Sequence, residues 1–225
     1  MEKLKAFTCW SGGKESCLSL YKAMQIESLE VKYLLNMINK DGLYSRSHGI
    51  SSNLLKEQAS AIGIPIVQRK TSWEDYEEEF KKVVSKLKKE NISAGVFGDI
   101  DLQEHRDWIE RVCKDVGIKP VLPLWKEERE KLLEQFIQAG FKAIIVATNA
   151  EFLGKEWLGQ EINKKFVEEL RALGNIDLCG EKGEYHTFVY DGPIFKKPVE
   201  FIAGKGYLKD NHWFLEIIPT KGCLI

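Results

Sequence analysis

The chain has 225 residues, 44% of them apolar and 30% charged, a composition that folds as a globular protein and is long enough to bury a full core. Lys and Arg number 33 against 34 Asp and Glu, and the net charge of −1 removes any general electrostatic pull toward nucleic acid or an anionic membrane. No apolar run spans a bilayer, MEKLKAF lacks a signal-type apolar stretch, and Cys9, Cys17, Cys113, Cys179 and Cys223 form no CxxC pair, so the sequence reads as a cytoplasmic chain with reduced thiols and no zinc site.

Leu4 to Cys9 is an apolar run that reads as a short buried strand. Ser11, Gly12 and Gly13 turn the chain, and Cys17 to Met24 follows with Leu18, Leu20, Tyr21 and Met24 at helical spacing. A Gly-rich turn between a strand and a helix start leaves backbone N–H groups unpaired. The helix N-terminus adds partial positive charge, so the turn favours an anion such as phosphate. Lys14 adds a full charge, and the Ser11 and Ser16 hydroxyls can donate to phosphate oxygens. The spacing is neither that of a Walker A loop nor that of a dinucleotide fingerprint. A turn that only starts a helix is the simpler alternative.

Val31–Met37 reads as the second strand, and Asn39-Lys40-Asp41-Gly42 as a turn. Ser51 is placed to cap a helix through Leu54, Leu55, Gln58 and Ala61 that ends near Gly63. Pro65–Gln68 is a third strand, Trp73–Glu90 a charged helix with a solvated face, and Ala94–Phe97 a fourth strand ending in Gly98-Asp99. A helix over Asp107–Val116 follows, then strand candidates at Val121–Leu124 and Lys142–Ala147 around a helix at Glu127–Ala139. This alternation predicts an α/β fold: a parallel sheet flanked by helices, with the ligand beyond the C-terminal ends of the strands. Past Ala150 a helix at Glu161–Leu173 gives way to a glycine-rich stretch. Val199–Ala203 and Trp213–Ile218 then read as antiparallel strands around Asp210-Asn211. The expected organisation is an α/β unit over 1–118 that carries the glycine-rich turn and a smaller α+β unit over 119–225 that covers the sheet.

Three clusters carry residue types poorly suited to packing. The first is the polar loop Tyr44-Ser45-Arg46-Ser47-His48-Gly49. The second is Gly98-Asp99-Ile100-Asp101 with Glu104-His105-Arg106, where the carboxylates are placed either to hold Mg²⁺ or to cap a helix. The third is Gly180-Glu181-Lys182-Gly183-Glu184-Tyr185-His186-Thr187-Phe188-Val189, in which Glu181 and Glu184 also fit a solvated turn.

The third cluster, followed by Asp191-Gly192-Pro193-Ile194-Phe195, resembles the C-terminal signature of the diphthine–ammonia ligase family. Ser11-Gly12-Gly13-Lys14-Glu15-Ser16 resembles the PP-loop of the ATP pyrophosphatase superfamily to which that family belongs, with Glu15 where SGGxDS has Asp. His48, Gln58-Ala59, Gly63-Ile64-Pro65, Gly98-Asp99-Ile100, Pro123-Leu124-Trp125 and Trp157-Leu158-Gly159 extend the resemblance over the whole chain.

The resemblance implies a HUP-type α/β domain, ATP and Mg²⁺ as cofactors, and amidation of diphthine on translation elongation factor 2 with ammonium through an acyl-adenylate, releasing AMP and pyrophosphate. It implies that Ser11, Gly12, Gly13, Lys14, Glu15 and Ser16 hold phosphate, with Asn36, Met37, His48, Gly98 and Asp99 completing the nucleotide site and Asp99 facing the metal. Asp101, Arg106, Glu181, Gly183, Glu184 and Thr187 would lie on the acceptor side, and Lys14, Glu184 and His186 are the candidate catalytic groups. Another acceptor for the same adenylation chemistry, or a nucleotide sensor without catalysis, are the alternatives. Elongation factor 2 and ammonium are the partners expected, with no membrane or strong nucleic-acid signal, and a homodimer is compatible with the sequence.

Overall fold

The computed structural model describes residues 3–46 and 48–220, so Ser47 and Cys223 lie outside the described residues. Five strands, β1 (Leu4–Cys9), β2 (Leu29–Asn39), β3 (Ile66–Thr71), β4 (Ile92–Val96) and β5 (Lys119–Val121), form a parallel sheet in the order β3-β2-β1-β4-β5. Helices α1 (Lys14–Met24), α2 (Ser52–Ile62), α3 (Tyr76–Lys88) and α4 (Gln103–Val116) are the crossovers.

Side chains alternate along each strand, so one sheet feeds two cores. Leu34 packs with Leu18 and Leu20 of α1 and Leu54 and Leu55 of α2. Its neighbour Leu35, with Phe7 and Met37, packs against Phe80 and Val83 of α3 and Ile109 and Val112 of α4. Because β1 leads to β2 on one side while β4 lies on the other, the strand order reverses between β1 and β4. That reversal opens a crevice at their C-terminal ends.

Local chemistry sets the helix ends. Ser51 Oγ accepts from Leu54 N at 3.2 Å, and Gly63 closes α2 at φ 84°, as the sequence predicts. Helix α3 begins at Tyr76 rather than Trp73, because the Asp75 carboxylate accepts from Ser72 N (2.6 Å) and Thr71 Oγ1 (2.9 Å) and so closes a turn first.

A second sheet holds β6 (Lys142–Asn149), β7 (Tyr185–Asp191), β8 (Phe201–Lys209) and β9 (His212–Pro219). It is antiparallel, in the order β7-β6-β9-β8. Asp210 and Asn211 both take positive φ, 49° and 60°, the conformation a two-residue hairpin requires. Helices α5 (Arg129–Gln138) and α6 (Lys164–Leu173) complete the chain's main elements.

Four expectations change here. Lys142–Ala147 does not continue the parallel series, since β6 pairs antiparallel with β7 and β9. Pro120 in the three-residue β5 lacks a donor, which suits a strand at the edge of the parallel sheet. Of the expected strand at Val121–Leu124, only Val121 is in a strand, and Trp125 N instead donates to Leu122 O in a turn. Helix α6 starts at Lys164 rather than Glu161, because Asn163 Oδ1 accepts from Phe166 N at 3.0 Å and Glu161 bridges to Ile144. Tyr185–Asp191, the C-terminal part of the third polar cluster, is a strand whose Tyr185, Thr187, Phe188 and Val189 are buried.

One core spans both sheets: Leu18, Leu20 and Leu54 belong to the same buried cluster as Phe136, Ile145 and Phe188.

Candidate active site

The site grows from the turn after β1. Gly12 sits at φ 82°, where an L side chain is strained, and a Cβ there would lie 2.5 Å from Leu55 Cδ2. Gly13 is the extended residue that opens α1, and a Cβ on it would lie 2.5 Å from His48 Cε1. Ser11 Oγ accepts from Gly13 N at 3.2 Å, and Ser16 Oγ donates to Gly13 O at 2.9 Å. The two hydroxyls therefore brace the turn from inside.

Strand β7 then clamps the turn from the other sheet. Val189 N donates to Gly12 O at 3.0 Å, and Lys14 N donates to Thr187 Oγ1 at 3.0 Å. The fully buried Gln58 closes the same joint: its Nε2 donates to Gly12 O (3.0 Å) and Val189 O (2.7 Å), and its Oε1 accepts from Trp10 Nε1 (2.7 Å). With these partners assigned, the N–H groups of Glu15 and Ser16 in the first turn of α1 have no acceptor among the described residues. A helix start with uncommitted N–H groups suits a phosphate.

Lys14 is 5% exposed. Its Nζ donates to Cys179 O, pairs with Glu15 Oε1 at 2.6 Å and lies 4.6 Å from the centre of the Tyr185 ring. Burial opposes its charge, but Glu15, Tyr185 and Cys179 outweigh burial and raise its pKa, so it stays protonated. The cation thus links α1 to the Gly180–Gly183 loop.

These parts wall a cleft of about 410 Å³ at the β1/β4 reversal. Ser11, Lys14, Glu15 and Ser16 form its floor, Asn36, Met37, Arg46 and His48 one side, Gly98, Asp99 and His105 another, and Glu181, Gly183 and His186 the roof. Trp73, 73% exposed, stands at the rim with the Arg46 guanidinium 4.0 Å from its ring centre. Arg46 Nε is buried with no hydrogen-bond partner among the described residues. His48 and His186 face each other at 4.6 Å between ring centres. The Nδ1 of His48 lies 3.1 Å from Thr187 O, which can only accept, so Nδ1 carries the proton and Nε2 is left as an acceptor. Burial lowers the pKa of both rings, His186 the more, with His48 and Lys14 adding to its shift. Both are neutral near pH 7. His105 is different: its hydrogen bond to the Asp99 carboxylate at 3.0 Å raises its pKa. Burial and the Glu15 charge push the Glu181 carboxyl up to about 7, against the pull of Lys14 and Arg129.

The sequence profile of the diphthamide synthase N-terminal domain matches residues 4–120, and that of the diphthamide synthase C-terminal domain matches residues 128–221. The chain belongs to the diphthamide synthase family. Relatives named diphthine–ammonia ligase include one from Bos taurus, 29% identical over 215 residues that cover 84% of this chain and 79% of that protein. Another, from Schizosaccharomyces pombe, is 27% identical over 245 residues, covering 98% of this chain and 40% of that protein. A crystal structure of a predicted subunit of tRNA methyltransferase from Methanocaldococcus jannaschii aligns with a TM-score of 0.47 at 16% identity, covering 87% of this chain and 100% of that one. Family membership makes the protein an enzyme of the ligase class.

Set in that family, the residues singled out from sequence divide into two groups. Ser11, Lys14, Glu15 and Ser16 of the PP-loop, Asn36, Met37, His48, Gly98, Asp99, Glu181, Gly183 and His186 meet at the cleft, whereas Gly12 and Gly13 shape the turn without lining it. The Asn36 side chain is already engaged, donating to Trp10 O at 2.8 Å and accepting from Gln68 at 3.2 Å. Gly98 lets the end of β4 approach α1, since a Cβ there would lie 3.1 Å from the Glu15 carbonyl. Asp101, Arg106, Glu184 and Thr187 do not line the cleft. Asp101 holds Arg129 through two hydrogen bonds of 2.6 and 2.9 Å, and Arg129 also pairs with the buried Asp177. Arg106 pairs with Glu110 at 2.6 Å and lies over Trp125. Glu184, 2% exposed, accepts from Asp177 N (3.1 Å) and Lys182 N (3.0 Å), so its carboxylate shapes the loop that carries Glu181. Arg46, from the first polar cluster, also reaches the cleft, as do Trp73 and Tyr76, which no local motif marks. The only sequence signal of those two is their position just after the end of β3, at the edge where a switch-point crevice forms.

Proposed function

We propose that the protein joins ammonium to the carboxylate of diphthine on translation elongation factor 2, forming diphthamide while ATP is cleaved to AMP and pyrophosphate. The observation that carries this reading is the uncommitted helix N-terminus of α1, set in a switch-point cleft and roofed by the loop before β7 in a chain of this family. ATP phosphates fit the N–H groups of Glu15 and Ser16. Met37 and the strand-end backbone beside it would face adenine. Among the described residues no group of three or more His, Cys, Asp or Glu forms a metal cage. This suits Mg²⁺, which keeps its waters and uses substrate phosphates with one or two carboxylates. Asp99, one of whose oxygens accepts from His105, would hold it through the other, and the ion would supply charge neutralisation at the phosphates.

The chemistry follows from the acceptor. A carboxylate cannot expel oxide, so its oxygen first attacks the α-phosphorus of ATP. A new P–O bond forms, the bond to the β-phosphate oxygen breaks, and pyrophosphate leaves with the electron pair. An acyl-adenylate remains. Ammonia then attacks its carbonyl carbon and AMP departs. The protein's contribution to the first step is positioning and preorganised positive charge. The second step also needs ammonium to lose a proton.

The test is incubation with ATP, Mg²⁺, ammonium and diphthine-bearing elongation factor 2, following AMP and the mass of the modified peptide. AMP release with conversion of acid to amide is the expected result. AMP without a change in the peptide would redirect the adenylation to another acceptor. ATP bound but never cleaved would leave a nucleotide sensor.

A further inference from the structure

Three carboxylates line the cleft: Glu15, Asp99 and Glu181. Glu15 is neutralised by Lys14 at 2.6 Å, and Asp99 is engaged by His105 at 3.0 Å. Glu181 is the one cleft carboxylate with neither an ion pair nor a side-chain hydrogen bond among the described residues. Its loop is nevertheless fixed. Gly180 and Gly183 take φ 69° and 84°, Gly183 N donates to Gly180 O at 3.0 Å, and the buried Glu184 holds Asp177 N and Lys182 N on either side. An uncompensated carboxylate on a braced loop, facing a cleft, is a natural station for a small cation.

We propose that Glu181 is the residue that receives ammonium and takes its proton, delivering ammonia to the acyl-adenylate; this rests on the ligase reading above. In the step, one N–H bond of ammonium breaks, its proton moves to a Glu181 oxygen, and the freed lone pair forms the C–N bond. The bond from the acyl carbon to the AMP oxygen breaks, and AMP leaves with that electron pair. The acylated nitrogen then gives its surplus proton to solvent.

The other candidates are less suited. Both Glu184 oxygens accept backbone N–H groups. Burial lowers the pKa of His48 and holds that of His186 well below its ordinary value, so both rings are weaker bases. Glu181, with Glu15, Asp99, Lys14 and Arg129 as its charged surroundings, sits nearest the working pH.

The test uses Glu181→Gln in the full chain with diphthine-bearing elongation factor 2, ATP and Mg²⁺. Amide formation is measured with ammonium and hydroxamate formation with hydroxylamine, which is largely uncharged at neutral pH and needs no base to free its lone pair. The expected result is a loss of roughly 100-fold with ammonium, a near-normal rate with hydroxylamine, and unchanged ATP binding and melting temperature. Glu181→Asp should recover part of the ammonium rate. An unaltered ammonium rate, or an equal loss with both nucleophiles, would overturn the assignment. If the unsubstituted protein releases no pyrophosphate with this acceptor, the ligase reading itself fails and this role fails with it.

Discussion

Gln58 gives the sharpest handle on how the two sheets build one site. Replacing it with Leu removes its hydrogen bonds to Trp10, Gly12 and Val189 at once. Gly12 O keeps its bond from Val189 N, but Trp10 Nε1, in a residue 3% exposed, loses its acceptor. A buried donor left unpaired costs about 1–3 kcal/mol, and each further lost bond about 1 kcal/mol. The substitution should therefore destabilise the fold by about 3–5 kcal/mol, a large part of the roughly 5–15 kcal/mol available to a domain. Urea unfolding reads this directly. Because Gly12, whose carbonyl loses one of its two bonds, belongs to the turn at the start of α1, ATP affinity measured by calorimetry should fall by about tenfold. Gln58→Glu keeps the acceptor for Trp10 yet cannot donate to either carbonyl while ionised, so it should be at least as destabilising at neutral pH. If Gln58→Leu unfolds within about 0.5 kcal/mol of the unsubstituted protein and binds ATP equally well, the joint is not what shapes the turn.

Gly13→Ala would place a methyl 2.5 Å from His48 Cε1 and 3.2 Å from Thr187 O, forcing the turn away from β7. ATP binding by calorimetry should weaken at least ~10-fold, and an unchanged affinity would show that the loop yields without consequence. The paired histidines set a pH dependence. Their folded pKa values lie below the ordinary 6.5, so the stability linked to their neutral forms is complete above about 6.5 and is lost as pH falls through the lowered values. The loss of melting temperature between neutral pH and pH ~5 should therefore be smaller in His186→Gln than in the unsubstituted protein; equal losses would contradict this.

What the sequence made legible follows the range over which each signal acts. The Ser11-Gly12-Gly13 turn, the Ser51 cap, the Gly63 stop and the Asp210-Asn211 hairpin depend on a few neighbouring residues, and all appear where the residues place them. The five-stranded parallel sheet flanked by helices follows from the alternating pattern of the first half. What failed to show was pairing at a distance. Lys142–Ala147 looks like one more buried parallel strand, because a strand buried on both faces has the same composition in either kind of sheet. Tyr185–Val189 looks chemical throughout because it mixes Tyr, His and Thr, yet Thr187 and Val189 tie β7 to the turn at the start of α1 while His186 faces the cleft. Among the acidic candidates, Glu184 and Glu181 are indistinguishable in sequence. Only the direction of their side chains separates the one that braces the loop from the one that faces the cleft.

The most direct test of the central claim follows oxygen. Diphthine-bearing elongation factor 2 with its acceptor carboxylate labelled with ¹⁸O would be converted in the presence of ATP and ammonium, and the nucleotide product examined by mass spectrometry. Attack of the carboxylate on the α-phosphorus predicts that each amide formed leaves one labelled oxygen in AMP and none in pyrophosphate. Amide formed with unlabelled AMP, or with the label in phosphate or pyrophosphate, would contradict the account.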